Sequence, residues 1–318
     1  MGSPLACDHV PDYRSGMGPT LADVGEDGLL ERFAALLPAG GSLLVGPGDD
    51  CAVARVEGSD RDLLLKTDCV VEGVHYLPET PPEKVGRKAL ARALSDLAAM
   101  GGIPEHALVT LVLPSSTTAA WIDGFYDGLV ELARVAGLRV AGGELARMPA
   151  GGAAVASVSL TGWVVKDKAL LRSGGRPGHV VAVTGCLGGS FPSGHHLDFM
   201  PRLEQGQWLS QTGLVHAAMD LSDGLARDLP RLARRSGCGY ALNQADLPCR
   251  PGFTPDQALS DGEDYELLLA LPEPDWERLH GLWRDRFPDV GLTRIGSLTE
   301  ARHGHEETTG GWDHFRSR

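Results

Sequence analysis

Six short acidic motifs follow one another along the chain, and each lies beside a glycine or near the end of a predicted strand or helix. They are Gly48-Asp49-Asp50, Lys66-Thr67-Asp68, Leu94-Ser95-Asp96, Gly142-Gly143-Glu144, Asp220-Leu221-Ser222-Asp223-Gly224 and Gly262-Glu263-Asp264-Tyr265-Glu266. If the fold gathers these carboxylates, two charges about 5 Å apart repel by roughly 3 kcal/mol at an effective dielectric constant of about 20. Divalent cations relieve such repulsion, and oxygen ligands without a matching set of His and Cys favour magnesium over zinc. Since magnesium commonly joins carboxylates to nucleotide phosphates, the motifs predict an enzyme that uses ATP.

Length and composition indicate an ordinary soluble globular protein with room for two domains. The chain has 318 residues, 42% of them hydrophobic and 22% charged, and its formal net charge is −13. Because an acidic surface repels phosphate and the sequence has no Lys/Arg run, we expect no nucleic-acid partner. We also expect no secretory signal in the first twenty residues and no membrane helix. The six cysteines form no C-x-x-C pair, and a chain of this size needs no disulfides, so we expect a cytoplasmic protein. Since no membrane helix is expected, we also expect no membrane partner.

The predicted elements of the first half place several motifs at strand and helix ends. Strands are predicted over 53–56, 63–66, 107–113, 139–141 and 153–165, and helices over 29–37 and 119–136. A further helix opens at Thr80-Pro81-Pro82-Glu83, with Thr80 as its N-cap, and ends at Gly101-Gly102. Asp96 then lies in the last turns of that helix, where the macrodipole disfavours an anion. This position suggests a compensating cation.

A turn-rich stretch over 173–178 predicts a domain boundary. After it we expect a strand over 179–183, a glycine-rich loop over 185–189, a strand over 217–221, a helix over 225–235 and a buried strand over 265–271. The alternation of strands and helices indicates an α/β or α+β fold. The predicted organisation is a loose extension over 1–20, an N-terminal domain over 21–172 and a C-terminal α/β domain over 173–318.

The order and wording of the motifs resemble the thiamine-monophosphate kinase family, within the superfamily that includes aminoimidazole ribonucleotide synthetase and selenophosphate synthetase. The similarity runs from about residue 29 to the end of the chain. Its most specific passages are Gly48-Asp49-Asp50-Cys51-Ala52-Val53, Val71-Glu72-Gly73-Val74-His75-Tyr76, Leu94-Ser95-Asp96-Leu97-Ala98-Ala99-Met100-Gly101, Ala258-Leu259-Ser260-Asp261-Gly262-Glu263-Asp264-Tyr265-Glu266-Leu267 and Trp312-Asp313-His314-Phe315.

This resemblance implies a two-domain ATP-dependent synthetase/kinase fold that phosphorylates thiamine monophosphate to thiamine diphosphate. The N-terminal domain would bind ATP and magnesium and pair its sheet into a barrel with a second copy in a homodimer. The C-terminal domain would complete the active site. The reaction would be a direct in-line phosphoryl transfer with several Mg²⁺ ions and no catalytic side chain.

The resemblance also assigns roles to matching positions of this chain. The implied metal ligands are Asp50, Thr67, Asp68, Asp96, Glu144, Asp220 and Asp223. The implied ATP contacts are Gly143, Glu144, Arg172 and Ser222. The implied contacts to thiamine monophosphate are His75, Glu263 and Trp312, since an aromatic face suits the cationic thiazolium ring.

Two positions depart from the family pattern. Lys66 stands where the family usually has a serine of the metal shell. If that serine acts through its backbone oxygen the change is harmless, whereas a Lys side chain that points inward would displace a cation. Glu144 stands where the family has Asp; we expect it still to bind magnesium through a shifted backbone or an intervening water.

Structural alternatives exist for several of these residues. Asp50 suits a solvated turn, Asp223 suits a helix N-cap before Gly224, and Trp312 suits an anchor of the C-terminus. We interpret His195, His196, His303 and His305 as surface residues because they lack a metal-binding pattern.

Two other functions are compatible with the two departures. One is a related ATP-dependent synthase or kinase with another phosphorylated acceptor. The other is a degenerate nucleotide-binding protein without catalysis.

Overall fold

The computed structural model describes residues 19–37, 40–149, 151–301 and 310–315. Most of the predicted extension, and both His303 and His305, lie outside these ranges. The first described element is helix α1, Leu21–Leu36, which Thr20 caps and which Gly25, at φ 73°, interrupts. It begins earlier than the predicted helix because a capping box between Thr20 and Asp23 starts the helix at Leu21.

Six strands of the described chain form the first sheet. The elements of this half are β1 (Leu43–Val45), β2 (Ala52–Arg55), β3 (Arg61–Val71), α2 (Pro82–Ala99), β4 (Ile103–Pro114), α3 (Ala119–Ala136), β5 (Arg139–Met148) and β6 (Val155–Val165). Their order is β1-β2-β3-β6-β4-β5, and β4 and β5 are the one parallel pair within it. Helix α3 connects these two parallel strands, as a parallel connection requires. Strand β5 lies at an edge of the sheet.

Helices α2 and α3 cross at very short range. A Cβ at Gly86 of α2 would lie 1.8 Å from the backbone oxygen of Phe125, and one at Gly128 of α3 would lie 1.8 Å from that of Glu83. Only glycine permits this approach. The predicted N-cap of α2 was wrong: Pro81 occupies the N-cap position, and the Thr80 hydroxyl accepts instead from the Leu77 amide.

Five strands of the described chain form a second, antiparallel sheet in the order β8-β10-β7-β11-β9. The elements are β7 (Val180–Thr184), α4 (Ser190–Ser193), α5 (His195–Asp198), α6 (Leu203–Thr212), β8 (Ala217–Asp220), α7 (Leu225–Arg235), β9 (Cys238–Leu242), α8 (Pro255–Ser260), β10 (Leu267–Leu271), α9 (Trp276–Arg286) and β11 (Leu292–Glu300). Strands β7, β8 and β10 are buried along their whole length. The architecture is thus the mixed α/β type predicted from the sequence.

Helix α2 links the two halves. It contacts β3 and β6 of the first sheet and β8 of the second. Phe199 and Tyr265 of the second half pack into the core under the first sheet, while Ala99 joins the core of the second half. The last turn of α2 therefore lies between the two sheets. In the described part of the chain, no helix is both long and apolar enough to cross a membrane.

Candidate functional site

Three carboxylates meet where the two halves join. One oxygen each of Asp50, Asp96 and Asp220 lies within 4.8 Å of the others. Asp50 lies just before β2, Asp96 in the last turn of α2, and Asp220 at the end of β8. All three are buried, and Asp50 Oδ2 has no hydrogen-bond partner among the described residues. We call these three residues the acidic triad.

The electrostatics of the acidic triad favour a bound cation. Burial, together with the charge of Asp50, raises the pKa of Asp220 to about 7, although Asp220 Oδ2 accepts a 2.6 Å hydrogen bond from the Ser95 hydroxyl. Burial also raises the pKa of Asp96 well above its ordinary value, against the opposing effect of Lys66. Carboxylates at this spacing repel by roughly 3 kcal/mol per pair at an effective dielectric constant of about 20. Positive charge at their centre removes this penalty.

Basic side chains contact the acidic residues in and around the triad. Lys66 Nζ lies 2.6 Å from Asp96 Oδ1, and Arg172 Nε donates to Asp50 Oδ1 at 3.1 Å. Burial lowers the pKa of Lys66, but Asp96 and Asp68 outweigh it and hold that pKa above its usual range. Two further pairs are Arg92 with Asp68 at 3.3 Å and Arg231 with Asp223 at 2.5 Å.

A cleft of about 520 Å³ collects five of the residues singled out from the sequence. They are His75, Ser222, Asp223, Glu263 and Trp312. Arg92 and Tyr265 also line it. A cleft of this volume, with aromatic and charged groups on its walls, has the size and chemistry of a small-molecule site.

His75 presents an unpaired ring nitrogen in this region. Its Nδ1 accepts from the Val71 amide at 3.0 Å, and burial lowers the pKa of the ring to about 2, so the imidazole is neutral. The proton is therefore assigned to Nε2, since Nδ1 acts as an acceptor. His75 Nε2 is buried without a hydrogen-bond partner among the described residues. A ligand that reached this nitrogen would supply the missing hydrogen-bond acceptor.

A buried lysine holds Glu263. Lys88 of α2 is 0% exposed, and its ammonium lies 2.8 Å from Glu263 Oε1 and 2.7 Å from His196 Nδ1. It also donates to the backbone oxygen of His75 at 2.5 Å. Burial lowers the pKa of Lys88 to about 8, although Glu263 opposes the shift. The Lys88 side chain thus joins His75 and Glu263, two of the residues that the sequence predicts to contact the substrate.

The prediction that His196 is a surface residue was wrong. The ring is 4% exposed and stacks on Phe191 at 4.3 Å between centroids. Burial, with the nearby Lys88 ammonium, lowers its pKa to about 3. The neighbouring His195 is partly buried.

The loop that carries Glu263 has an unusual backbone. Glu263 and Tyr265 have φ values of 66° and 52°, in the left-handed region that disfavours residues with a Cβ. Their amides donate to the backbone oxygens of Ser222 and Leu221, both at 2.8 Å. The Tyr265 ring stacks on Phe199 at 4.1 Å. Such strain, of order 1–3 kcal/mol per residue, persists where surrounding contacts fix the backbone, as they do here beside the cleft.

The C-terminal residues 310–315 close one side of the cleft. The Trp312 amide donates to the backbone oxygen of Asp223 at 2.9 Å. Arg227 donates to the Trp312 oxygen at 2.7 Å and pairs with Asp313 at 3.0 Å. The His314 ring lies 5.3 Å from that of His75.

Asp223 does not cap helix α7. Gly224 is its N-cap, with no side-chain hydrogen bond, and Asp228 Oδ2 instead accepts from the amides of Ser222 and Asp223 at 3.0 Å each. The N-cap alternative for Asp223 was therefore wrong, and its carboxylate faces Arg231.

This chain is similar to known proteins over most of its length. The family models for the AIR synthase related protein match this chain with their N-terminal domain over residues 48–164 and their C-terminal domain over 151–306. The thiamine-monophosphate kinase of Rhodopirellula baltica is 38% identical over 272 residues, which cover 80% of this chain and 83% of that protein. The chain belongs to the thiamine-monophosphate kinase family.

Other members of the thiamine-monophosphate kinase family are similar in sequence and in fold. The Escherichia coli K12 enzyme is 36% identical over 257 residues, covering 72% of this chain and 77% of that protein. The solved structure of AaThiL complexed with AMPPCP and TMP superposes with a TM-score of 0.79 at 30% identity, covering 93% of this chain and 99% of that one.

Thr67 and Asp68, expected from the kinase family as metal ligands, lie on opposite faces of β3. Side chains alternate along a strand, so Asp68 shares a face with Lys66 while Thr67 points the other way. The Thr67 hydroxyl accepts from Ser159 of β6 at 3.0 Å. The structure therefore brings Asp68 towards Arg92 of α2 but does not bring the Thr67 hydroxyl to the triad.

Gly143 and Glu144 lie apart from the cleft. Both are exposed on the edge strand β5, where they line a shallow groove with Tyr126 of α3. A Cβ at Gly143 would lie 1.8 Å from the Val109 oxygen, so the pairing of β5 with β4 requires glycine at this position. Neither residue belongs to the acidic triad.

Sequence reasoning missed the basic residues of α2. Lys88, Arg92 and Asp96 are spaced by four residues, so one face of the helix carries all three towards the site. This spacing was a readable signal. A similar signal was present in α7, where Asp228 and Arg231 are three residues apart and follow Asp223 closely; Arg231 pairs with both acids.

Proposed function

We propose that the protein transfers the γ-phosphoryl group of ATP to the phosphate of thiamine monophosphate, giving thiamine diphosphate and ADP. The observation that carries this proposal is the convergence of His75, Glu263 and Trp312 on one cleft. It is supported by family membership and by AaThiL, whose structure contains TMP and AMPPCP, an ATP analogue.

The cleft offers complementary groups for the acceptor. We propose that Trp312 stacks on a ring of thiamine and that Glu263 faces the cationic thiazolium. The His75 Nε2–H, which has no partner among the described residues, would donate to the acceptor phosphate. Lys88 positions Glu263 from behind, at 2.8 Å.

Mg²⁺ suits the acidic triad. Its ligands are hard carboxylate oxygens from three elements, and the buried Asp50 Oδ2 has no other partner among the described residues. We propose that Asp50, Asp96 and Asp220 hold magnesium, and that Asp68 and Asp223 add ligands when their arginine partners turn to phosphate. Bound magnesium would neutralise the phosphate oxygens.

We propose that two side chains of this chain, Arg172 and Ser222, bind the phosphates of the nucleotide. Arg172 lies in an irregular segment between β6 and β7, so its forked guanidinium can turn from Asp50 to a phosphate. Ser222 lines the cleft at the end of β8.

The proposed chemistry needs positioning rather than a catalytic base. The phosphate of the acceptor is already largely ionised near neutral pH. Its oxygen attacks the γ-phosphorus in line, the bond to the β–γ bridging oxygen breaks, and ADP leaves with that electron pair. The chain aligns the two phosphates and neutralises their charge.

We further propose a homodimer that pairs through the first sheet. Its support is an apolar outer surface that includes Leu145 on β5, 64% exposed, and Leu108 on β4, 51% exposed. Gly143 and Glu144 lie on the same edge strand, β5. We therefore propose that these two residues contact the nucleotide only once the dimer has formed.

The proposed domain division after residue 172 separates the two sheets. The free state of every described cysteine supports a cytoplasmic setting.

The test is chromatographic detection of thiamine diphosphate after incubation with ATP, Mg²⁺ and thiamine monophosphate. Product should form with the wild type and disappear with Asp220→Asn. Asp285→Asn, an exposed residue of α9, is the matched control and should retain activity. ADP release with another phosphorylated acceptor but no thiamine diphosphate would refute the proposed substrate. Tight ATP binding without any turnover would favour a noncatalytic protein.

A further inference from the structure

Lys66 places a fixed ammonium against the acidic triad. Its Nζ lies 2.6 Å from Asp96 Oδ1, and the side chain is 21% exposed. Asp96 is itself 6% exposed. The ion pair therefore lies within the site and not on the outer surface.

The strand fixes the direction of this side chain. Lys66 alternates with Leu64 and Val70 on the face of β3 that packs towards α2, and both of these neighbours are 0% exposed. Strand β3 is paired on both sides, with β2 and with β6. Turning Lys66 outward would invert the register of a central strand. Its ammonium therefore stays on the triad side.

Arg172, which also contacts the triad, differs in this respect. It lies outside any helix or strand, so it can leave Asp50 when a phosphate binds. The backbone of Lys66, in contrast, is held on both sides by β2 and β6, which keeps its side chain on the triad face of β3. The Lys66 ammonium thus supplies beside Asp96 a positive charge that a bound cation would otherwise supply.

We propose that the Lys66 ammonium takes the place of one divalent cation, so that this site loads one metal ion fewer than it would with a small neutral residue at position 66. The inference rests on the proposed function, because it assumes that the acidic triad binds metal with ATP. Lys66 acts here as a positioning residue: its ammonium, paired with Asp96 Oδ1, cancels one negative charge of the triad, so that Asp50, Asp96 and Asp220 together hold fewer metal ions.

The experiment counts bound metal without turnover. Mn²⁺ is titrated into wild type and Lys66→Ser in the presence of AMPPCP, and free Mn²⁺ is measured by electron paramagnetic resonance. Lys66→Ser should bind one more Mn²⁺ per chain than the wild type. Lys66→Arg, which keeps the charge, and Lys166→Ser, which removes an exposed lysine, should match the wild type.

The outcomes separate this inference from the proposed function. An unchanged Mn²⁺ count in a folded Lys66→Ser variant overturns the inference, whether or not thiamine diphosphate forms. A gain of one ion supports it, even if thiamine monophosphate proves to be the wrong acceptor. If Lys66→Ser does not fold, Lys66→Gln takes its place, because it keeps most of the side chain, removes the charge and offers an oxygen ligand. A count in Lys66→Gln equal to that of the wild type then overturns the inference.

Discussion

Arg227 is expected to control acceptor binding by holding the C-terminal residues over the cleft. Its guanidinium, in a side chain 15% exposed, contacts the Trp312 oxygen at 2.7 Å and Asp313 at 3.0 Å. Hydrogen bonds to charged groups contribute about 1.5–3 kcal/mol each, and part of this is recovered when the undocked groups meet water. We take about 2 kcal/mol as the net loss in Arg227→Met, which is roughly 30-fold in the docking equilibrium.

The loss should appear in one kinetic constant. A ligand that binds only the docked state has an apparent affinity reduced by the docked fraction. We expect Arg227→Met to raise the KM for thiamine monophosphate about tenfold or more, with the KM for ATP and kcat within about twofold of wild type. Steady-state kinetics with each substrate varied in turn measures this. Arg234→Met, an exposed arginine of the same helix, is the control.

A double-mutant cycle tests the reasoning itself. Trp312→Ala should raise the same KM, and Arg227→Met should add little to it, because both changes act through one docked segment. An unchanged KM in Arg227→Met would refute the role of the segment. Fully additive effects in the double variant would refute the shared route.

Three further predictions concern the triad, Lys88 and the helix crossing. Asp220→Asn removes one of three carboxylates within 4.8 Å, so Mn²⁺ affinity by titration should fall at least about tenfold while the metal-free protein melts higher. Burial lowers the pKa of Lys88 from 10.5 to about 8, so above pH 8 folding releases a proton from this side chain. The unfolded state then binds more protons than the folded state, and the free energy of unfolding should rise with pH. Urea titrations of wild type and Lys88→Met should show this difference growing by up to about 3 kcal/mol towards pH 10. Gly86→Ala forces a Cβ to 1.8 Å from the Phe125 oxygen and should lower thermal stability by about 1–3 kcal/mol or more, whereas Gly281→Ala, with open space, should not.

Local sequence patterns predicted several elements closely, and the misses have physical causes. Helices α3 and α7 have the predicted bounds. Strand β5 was predicted over three residues but runs from Arg139 to Met148, because pairing with β4 overrides the weak strand preference of Gly142 and Gly143. Strand β10 begins two residues later than predicted, because Tyr265 has a left-handed backbone.

The side-chain partners of the site could be read only in part. The spacing of Lys88, Arg92 and Asp96 along one helix face was available from the sequence. The burial of His196 was not, since a four-residue helix shows no usable periodicity and the ring is covered by Phe191 and Lys88. Loops packed by distant residues leave little local signal.

The sequence by itself determined the chemistry, through its acidic motifs and its family resemblance. It left open whether the Lys66 side chain points inward or outward. Tertiary structure decided that choice, because the buried neighbours of Lys66 on β3 set its face and bring its ammonium to Asp96. It also decided which carboxylates meet. Asp50, Asp96 and Asp220 come from three elements, and only the packing of α2 between two sheets brings their oxygens within 4.8 Å. Residue types are local properties, whereas distances between remote residues are set by packing.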